Sequence, residues 1–427
     1  MEKKIKVVWL CQVVNAQIKQ RLNYGYPWIE QLLNRILGRK TKVSVEDYAR
    51  WNTNAINEMH NNPTVELHVV SQFPYLRFKQ QTYVENGITF HFFQAEDFTF
   101  FSRLKYMRNH DYTPSYKKNT RLIHKIIKDI DPDIIHLMGA ENPNYGKSII
   151  SLKTSAKIIV QLQTLMIMPN FKEGYKISDN EYYNRTAIEK AIIKRADYVG
   201  TAAVAYIGYL KSLFEYKDKV FLNTSLALTE PVKRVNYKKE YDVVYFAANI
   251  NKAADIAIEA FAKVQNKLSN ASMVVIGGYD DDFKRQLDEF IQCHCINNIS
   301  FTGKLSKYED VIETVCKAKV ALLPLKVDLI SGTIRESMAN GIPVVTTVTP
   351  NTPKLNLNRE SILLSEVGDI DSLASNVIQL LSNPDIYNRL RINAFETASE
   401  RNSNKKVVES WISVYKSCVK NLSLIHI

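Results

Sequence analysis

This sequence of 427 residues has few cysteines and no long apolar run. No window approaches the run of about 18 apolar residues that a membrane-spanning helix needs, so we expect no segment to cross a bilayer. The five cysteines are odd in number and irregularly spaced, which argues against a disulfide framework and fits a reducing compartment. The chain becomes charged too early to begin with a secretory signal. The sequence therefore predicts a cytoplasmic protein.

Metal-binding patterns are also scarce. Cys293-His294-Cys295 has the right residue types, but no second ligand pair lies nearby in the sequence, so we interpret it as a helix end. Asp280-Asp281-Asp282 could be a metal-binding acid motif. It follows two glycines and precedes a predicted helix, where acids act as caps. We expect no metal and no cofactor.

The net charge of +12 is concentrated in one half of the chain. Residues 1–235 contain 34 Lys/Arg and 22 Asp/Glu, whereas residues 236–427 contain 22 of each. A basic surface attracts anionic partners such as phospholipid headgroups, lipid-linked diphosphates or nucleic acid. No RNA- or DNA-binding module is recognisable, so we do not expect a nucleic acid. An anionic membrane surface is the partner we expect for this half, which would place the protein at the inner face of the cell membrane.

One segment of the basic half interleaves aromatic and basic residues. It either lies on an anionic membrane surface or packs its aromatic rings inward and leaves its charges in solvent. We leave both alternatives open. Its residues are Phe92, Phe93, Phe98, Phe100, Phe101, Arg103, Lys105, Tyr106 and Arg108.

Short β-branched runs alternate with helical segments along both halves, which is typical of stacked βαβ units. We predict an α/β protein with two doubly wound, Rossmann-like domains. The predicted strands of the first half are 6–10, 66–70, 133–137, 157–161 and 198–201. Those of the second half are 242–247, 273–276, 299–302, 320–323 and 343–347.

A polar, proline-initiated stretch marks the predicted domain boundary. We assign residues 1–232 to a first domain, 233–240 to a linker and 241–402 to a second domain. Residues 403–421 form a C-terminal helix. Residues 422–427 resemble a translated sequencing adapter, and we expect them to lie outside the fold.

The most informative stretch lies between the predicted strands 320–323 and 343–347. Ser331-Gly332-Thr333 opens a short helix, so its backbone N–H groups and helix dipole suit a diphosphate. Asp328 precedes this loop and Glu336 follows it, with seven residues between the two acids. Carboxylates can accept two hydroxyl hydrogen bonds at once, as a sugar or ribose offers them.

This arrangement resembles the acid-x7-acid signature of the family 4 retaining glycosyltransferases of the GT-B class, as does the sequence 336–345 that follows. Asn251-Lys252-Ala253, Val274–Gly278 and Ile299–Gly303 resemble further motifs of that family in the same order. Residues from about 241 to 400 are covered well, and the first half more loosely. The resemblance implies two Rossmann-like domains that face a cleft, with the acceptor bound by residues 1–232 and the nucleotide sugar by residues 241–402. It also implies the transfer of a sugar with retention at the anomeric carbon.

Carried over position by position, the resemblance assigns Glu336 to the ribose hydroxyls, Asp328 to the donor sugar and Lys252 to the diphosphate. The main chain at Gly303 and Lys304 would face the base. The implied donor-binding set is Asn249, Gly277, Gly303, Lys304, Ser331, Gly332, Thr333, Ile334 and Arg335.

The sequence departs from the family pattern at three places. The first acid is Asp328 where the family usually has Glu, and Ala247 occupies the position of a diphosphate arginine, whose role could pass to Asn249 or Arg335. His136 fills only the first position of a His-x-His strand end. As a residue near the acceptor sugar it joins Asp328, Glu336 and Lys252 in the predicted catalytic set, with a satisfied core histidine as the alternative. Gly25 and Glu141 complete the predicted acceptor side.

The function we predict is sugar transfer from a nucleotide-diphosphate sugar to a glycan or lipid-linked acceptor in cell-surface polysaccharide synthesis, such as lipopolysaccharide or capsule. Two alternatives remain open. A non-catalytic nucleotide-sugar-binding subunit would explain the missing arginine and Asp328. A sugar-nucleotide epimerase shares the architecture but would be expected to need further acid and base groups.

Overall fold

A computed structural model describes most of the chain, excluding the side chains of residues 100, 101, 103, 107, 248 and 249. The described residues are 3–43, 45, 48–73, 75–96, 100–109, 112–169, 171–172, 177–225, 237–249, 253–305, 307–326, 331–401 and 403–420.

The chain forms two compact units. The first unit contains the chain up to Ala227 together with the chain from Asn404 onward, and the second contains Leu228–Ser403. The C-terminal helix, which we predicted as a separate segment, therefore belongs to the first unit. Residues 233–236 of the predicted linker lie outside the described residues.

The first unit is built on an eight-stranded sheet in the order β3-β4-β2-β1-β5-β6-β7-β8. All neighbours are parallel except β3 and β4, which form an antiparallel hairpin. The strands are β1 Ile5–Leu10, β2 Val65–Gln72, β3 Gln80–Glu85, β4 Ile88–Phe93, β5 Ile134–Met138, β6 Lys157–Gln161, β7 Tyr198–Gly200 and β8 Val220–Leu222. The helices are α1 Ala16–Arg21, α2 Trp28–Ile36, α3 Arg50–Glu58, α4 Phe100–Arg108, α5 Lys117–Ile130, α6 Pro143–Gly146, α7 Asp179–Arg195 and α8 Val204–Ser212.

The second unit has a six-stranded parallel sheet in the order β11-β10-β9-β12-β13-β14. Its strands are β9 Tyr241–Asn249, β10 Met273–Gly278, β11 Ile299–Gly303, β12 Ala318–Leu323, β13 Val344–Thr347 and β14 Leu363–Ser365. Its helices are α9 Ala254–Lys267, α10 Asp281–Cys293, α11 Tyr308–Cys316, α12 Gly332–Ala339, α13 Ile370–Ser382 and α14 Pro384–Arg401. The predicted doubly wound α/β class is confirmed.

The last helix, α15 Asn404–Val419, packs its apolar face into the core of the first unit. Trp411 contacts Trp9 of β1 edge to face, with ring centroids 5.4 Å apart. The Tyr415 hydroxyl accepts a hydrogen bond from Trp9 Nε1 at 3.0 Å and lies 2.6 Å from His136 Nδ1. Because Trp411 and Tyr415 are almost fully buried, α15 forms part of the hydrophobic core of the first unit.

The aromatic and basic segment is divided by the structure. Phe92 and Phe93 lie on β4 and are fully buried, as the inward-packing alternative requires. Lys105, Tyr106 and Arg108 of α4 are exposed. The placement of Phe98 and the side chains of Phe100, Phe101 and Arg103 lie outside the described part of the chain. Among the described helices, none has the length and apolarity that crossing a bilayer would require.

Candidate active site

The second unit has a topological switch point between its two central strands. The chain proceeds outward from β9 to β10 and β11 on one side, and from β12 to β13 and β14 on the other. In open parallel sheets, ligands bind in the crevice outside the carboxyl ends of the strands at such a point. The segments that follow β9, β10, β11 and β12 are therefore the candidate ligand-binding segments.

The predicted donor-side residues follow those strands. In the sheet register Gly278 of β10 pairs with Asn249 of β9, and Ile276 of β10 pairs with Gly303 of β11. The three strand ends are therefore level at one edge of the sheet. Helix α12 follows β12 and, with its N-cap Ser331, contains five of the predicted donor residues.

An ion pair links the segments that follow the two central strands. Lys326 Nζ, just after β12, lies 2.8 Å from Asp255 Oδ2 in the first turn of α9. Both side chains are partly exposed, so the pair adds little to stability. It connects the chain next to predicted Asp328 with the helix that follows predicted Lys252. Those two residues themselves, and the side chain of Asn249, lie outside the described residues, and their roles stay predictions.

The start of α12 has the geometry of an anion site. Ser331 is the N-cap residue, and its hydroxyl accepts a hydrogen bond from the Thr333 N–H at 3.2 Å. The first N–H groups of a helix have no carbonyl partner within the helix, and the helix dipole makes this end positive. With Thr333 capped, the other N–H groups of the first turn remain suited to a phosphate oxygen.

The two faces of α12 differ in burial. Ile334, Ser337 and Met338 are buried and anchor the helix in the core of the second unit. Gly332 and Glu336 are one turn apart on the opposite face, where Gly332 is exposed and Glu336 half-buried. A β-carbon built on Gly332 would meet no described atom within 4 Å, so packing among these residues does not require a glycine there.

Arg335 lies next to Glu336 and has an unmatched donor. Its Nε is buried and has no hydrogen-bond acceptor among the described residues. Burial lowers the pKa of Arg335, while the neighbouring Glu336 opposes that shift. A buried guanidinium with an unused N–H costs free energy that an anionic ligand would recover. Arg335 is thus placed to take part in the phosphate role that we expected of it.

The carboxyl ends of β10 and β11 contain glycines with positive φ. Gly303 has φ +66°, in the left-handed region that disfavours a side chain, and Gly277 has φ +143°. A β-carbon on Gly303 would be 4.0 Å from the Tyr279 hydroxyl. The backbone at Gly303 and Lys304 turns sharply at the level of the switch point, which is compatible with the predicted contact to a base.

The two patterns that we interpreted as helix ends are confirmed as such. The Asp280 side chain caps α10 by accepting a hydrogen bond from the Phe283 N–H at 2.8 Å. Cys293 is the last residue of α10, and Cys295 follows with φ +52°. Among the described residues, no cluster of three or more His, Cys, Asp or Glu side chains could hold a metal ion.

The first unit has its own switch point, between β1 and β5. The predicted acceptor-side residue Glu141 follows β5 at that edge. Desolvation raises its pKa to about 7, against the lowering effects of its own backbone N–H and of Arg185. A β-carbon on Gly139, which has φ +91°, would be 2.5 Å from the Glu141 carboxylate. Glycine is therefore required at 139 for this carboxylate to lie where it does.

A second buried acid, Glu189 of α7, lies near Glu141. Its carboxylate accepts hydrogen bonds from the backbone N–H groups of Met166 and Ile167, at 3.0 and 2.9 Å, in the loop after β6. Burial raises its pKa to about 8, although these two N–H groups oppose the shift. Arg185, one turn earlier, donates to the Glu141 carbonyl oxygen. The loops that follow β5 and β6 are thus held by a buried, titratable cluster.

Sequence reasoning missed Arg185 and Glu189, although a signal was present. Glu189 lies among Ile188, Ile192 and Ile193, and an acid on the apolar face of a helix indicates a buried role.

The structure corrects the interpretation of His136. The residue lies within β5, is 1% exposed and is enclosed by Trp9, Trp411 and Tyr415. Burial lowers its pKa to about 3, so the ring is neutral at physiological pH. The core-histidine alternative is therefore favoured, because α15 covers the side that we expected to face an acceptor.

Gly25 lies in the loop between α1 and α2. Its N–H donates to the Tyr75 carbonyl oxygen at 2.9 Å, and a β-carbon there would be 3.2 Å from the Arg77 guanidinium. This contact explains a small residue at 25, and the predicted acceptor role stays a prediction.

Part of the chain is similar to proteins of known family. The family model described as Glycosyl transferases group 1 matches residues 229–397. N-acetyl-alpha-D-glucosaminyl L-malate synthase of Bacillus anthracis is 22% identical over 196 residues, 45% of this chain and 50% of that protein. The match thus spans half of that relative's length.

Two solved structures resemble nearly the whole chain. Sucrose-phosphate synthase from Thermosynechococcus elongatus superposes with a TM-score of 0.69 at 13% identity, covering 98% of this chain and 100% of that one. An E. coli protein, in a structure described as trehalose-6-phosphate bound with UDP-2-fluoro glucose, superposes with a TM-score of 0.63 at 11% identity. The superposition covers 96% of this chain and 99% of that one. These likenesses confirm the GT-B class of fold. Residues 229–397, which contain most of the second unit, are similar to the glycosyl transferases group 1 family.

Proposed function

We propose that the protein is a retaining glycosyltransferase that moves a sugar from a nucleotide-diphosphate sugar to a glycan or lipid-linked acceptor in cell-surface polysaccharide synthesis. The observation that carries this proposal is the exposed start of α12 at the switch point of the second unit. It combines a helix N-terminus, an exposed Gly332 and a half-buried Glu336 one turn apart.

Each part of the donor has a matching group. The diphosphate lies against the first turn of α12, where the helix dipole and the half-buried Arg335 supply positive charge. Glu336 accepts hydrogen bonds from the two ribose hydroxyls. Asp328 binds hydroxyls of the sugar and Lys252 the diphosphate, as the family pattern implies.

The chemical step needs little from the protein beyond charge and position. The bond between the anomeric carbon and the phosphate oxygen breaks, and a bond to the acceptor oxygen forms on the same face of the sugar. The acceptor proton passes to an oxygen of the leaving diphosphate. Positive groups around the diphosphate stabilise the negative charge that develops on it.

The acceptor part of the proposal rests on the first unit. Glu141 provides a buried carboxyl beside the carboxyl end of β5, and the charge excess of residues 1–235 favours an anionic acceptor such as a lipid-linked diphosphate.

The first test is a thermal-shift screen of the full chain with UDP, GDP and their common sugars. The wild type should be stabilised by one nucleotide diphosphate. Glu336→Ala should lose about 1.5–3 kcal/mol of binding free energy, the usual worth of a hydrogen bond to a charged group, which weakens binding about 10- to 150-fold. Glu289→Ala changes an exposed acid on α10 and is the matched control.

Several outcomes separate the proposal from its alternatives. A shift that Glu336→Ala retains would place the donor elsewhere. Selective binding without turnover on cell lipid extract would favour the non-catalytic subunit, and conversion of the free sugar nucleotide to its epimer would favour an epimerase. Retention is tested by proton NMR of the first product, whose anomeric configuration should equal that of the donor.

A further inference from the structure

Helix α2 turns its apolar residues toward solvent. The exposed fraction is 73% for Trp28 and 71% for Ile36. These side chains recur one turn apart, so they form a single continuous stripe. The members of the stripe are Trp28, Ile29, Leu32, Leu33, Ile36 and Leu37.

The polar residues of α2 face the protein instead. Glu30, Gln31 and Asn34 are half-buried, and Gln31 Nε2 donates to the Tyr26 carbonyl oxygen at 2.8 Å. A helix on the surface of a soluble domain normally has the opposite orientation. The polar face is used for attachment, and the apolar stripe is left for a partner.

The C-terminal end of α2 is capped by backbone hydrogen bonds. Gly38 has φ +63°, the Gly38 N–H donates to the Arg35 carbonyl oxygen at 3.3 Å, and the Arg39 N–H donates to the Asn34 carbonyl oxygen at 2.7 Å. This pair of hydrogen bonds is a Schellman motif, which fixes the direction in which the chain leaves the helix. The apolar stripe therefore lies on a helix with a defined C-terminal end.

Basic residues border the stripe. Arg35, Arg39, Lys40 and Lys42 are all exposed, and none of them forms an ion pair within the described part of the chain. The one acid of α2, Glu30, lies on the inner, polar face. A large apolar stripe with cations at its edge matches the interface of an anionic bilayer, where apolar side chains enter the acyl boundary and cations meet lipid phosphates.

We propose that α2 binds the surface of an anionic membrane, with its apolar stripe inserted and its four basic residues at the headgroups. This goes beyond the donor site, and it assigns membrane contact to a segment other than the aromatic and basic one at residues 92–108. Trp28 suits the interface, because an indole combines an apolar ring with one N–H group.

The test is co-sedimentation of the full chain with vesicles. Phosphatidylcholine vesicles that contain 30% phosphatidylglycerol should bind it, and pure phosphatidylcholine vesicles should bind it much more weakly. Leu32→Asp and Ile36→Asp should each weaken binding at least about tenfold, because each replaces inserted apolar area with a charge. Arg39→Glu with Lys40→Glu should weaken it at least about 30-fold, at about fivefold for each lost cation.

Controls distinguish this proposal from loss of folding and from the proposed catalysis. Phe214→Asp changes a side chain that is 82% exposed in the same unit, and it should bind vesicles like wild type. Glu336→Ala should also bind normally, so a failed transferase assay would leave this inference standing. Wild-type tryptophan emission should shift to the blue on anionic vesicles, and Trp28→Phe should remove most of that shift.

Three results would overturn the proposal. The first is unchanged vesicle binding by Leu32→Asp and Ile36→Asp. The second is equal binding to neutral and anionic vesicles. The third is a wild-type dimer in sedimentation equilibrium that binds no vesicles and is dissociated by Ile36→Asp, since the stripe would then serve a second copy of the chain.

Discussion

Replacing Gly332 with alanine separates stability from donor binding. Gly332 is the first residue of α12, and no described atom lies within 4 Å of its added β-carbon. Alanine there restricts the unfolded chain without creating a contact in the folded one, so we expect Gly332→Ala to stabilise the protein by about 0.4–1 kcal/mol. For a unit of this size the melting temperature should rise by about 1–4 °C.

The same methyl group should weaken donor binding. If the diphosphate approaches the backbone at Gly332, the methyl occupies part of its space, and overpacking of this kind costs about 1–3 kcal/mol. The dissociation constant should rise about 5- to 150-fold. At a ligand concentration of about 100 times the wild-type Kd, ligand stabilisation should fall from about 2.7 kcal/mol to between about 1.8 and 0.3 kcal/mol.

The assay is thermal denaturation with and without whichever of UDP or GDP stabilises the wild type more. Gly208→Ala is the matched control, because Gly208 is an exposed helical glycine of α8 whose β-carbon position is equally open. It should stabilise the protein with no change in nucleotide binding. If Gly332→Ala is stabilised and binds the nucleotide as tightly as wild type, the phosphate does not approach the start of α12 and the reasoning is refuted.

Three further predictions concern the first unit. Tyr415→Phe should destabilise it by about 1–3 kcal/mol in urea unfolding, because Trp9 Nε1 and His136 Nδ1 lose their shared partner, and unchanged stability would contradict the role assigned to α15. The folded pKa values of Glu141 and Glu189, about 7 and 8, lie above their unfolded values near 4.5, so the folded state binds more protons in between. The free energy of unfolding should therefore fall from pH 5 to pH 8, by up to about 6 kcal/mol if the two shifts add, and a Glu141→Gln, Glu189→Gln variant should lose most of this fall in urea midpoints at the two pH values. Gly139→Ala should cost at least about 1–3 kcal/mol, from the positive φ and the clash with the Glu141 carboxylate, and a variant that melts like wild type would show that the carboxylate lies elsewhere.

The local sequence pattern was sufficient to predict most of the strands of both sheets. All ten predicted strands overlap strands of the structure, and three of them extend one residue beyond the observed strand. Continuous β-branched runs bounded by turn residues indicate buried parallel strands. The hairpin of β3 and β4 was missed although Asn86-Gly87, both with positive φ, was a readable turn signal. Strands β8 and β14 have three residues each, too few for a periodic pattern.

The local structure of the predicted donor segment, residues 331–336, could also be predicted from the sequence. Ser331 capping a helix, with Glu336 one turn beyond Gly332, depends only on residues close together in the chain. The register of parallel strands then brings Asn249, Gly278 and Gly303 to one level. Alternation of strands and helices predicts that arrangement, because each crossover returns the chain to the same edge of the sheet.

Burial across the fold was decided by tertiary structure alone. His136 is a core residue because Tyr415, 279 residues later, packs against it. The stripe of α2 has the same periodicity whether it faces the core or solvent, and only its docking through Glu30, Gln31 and Asn34 decides which. A sequence determines which side chains share a face of an element. What covers that face depends on the free energy of packing against residues far away in the chain, and it therefore becomes visible only in the folded molecule.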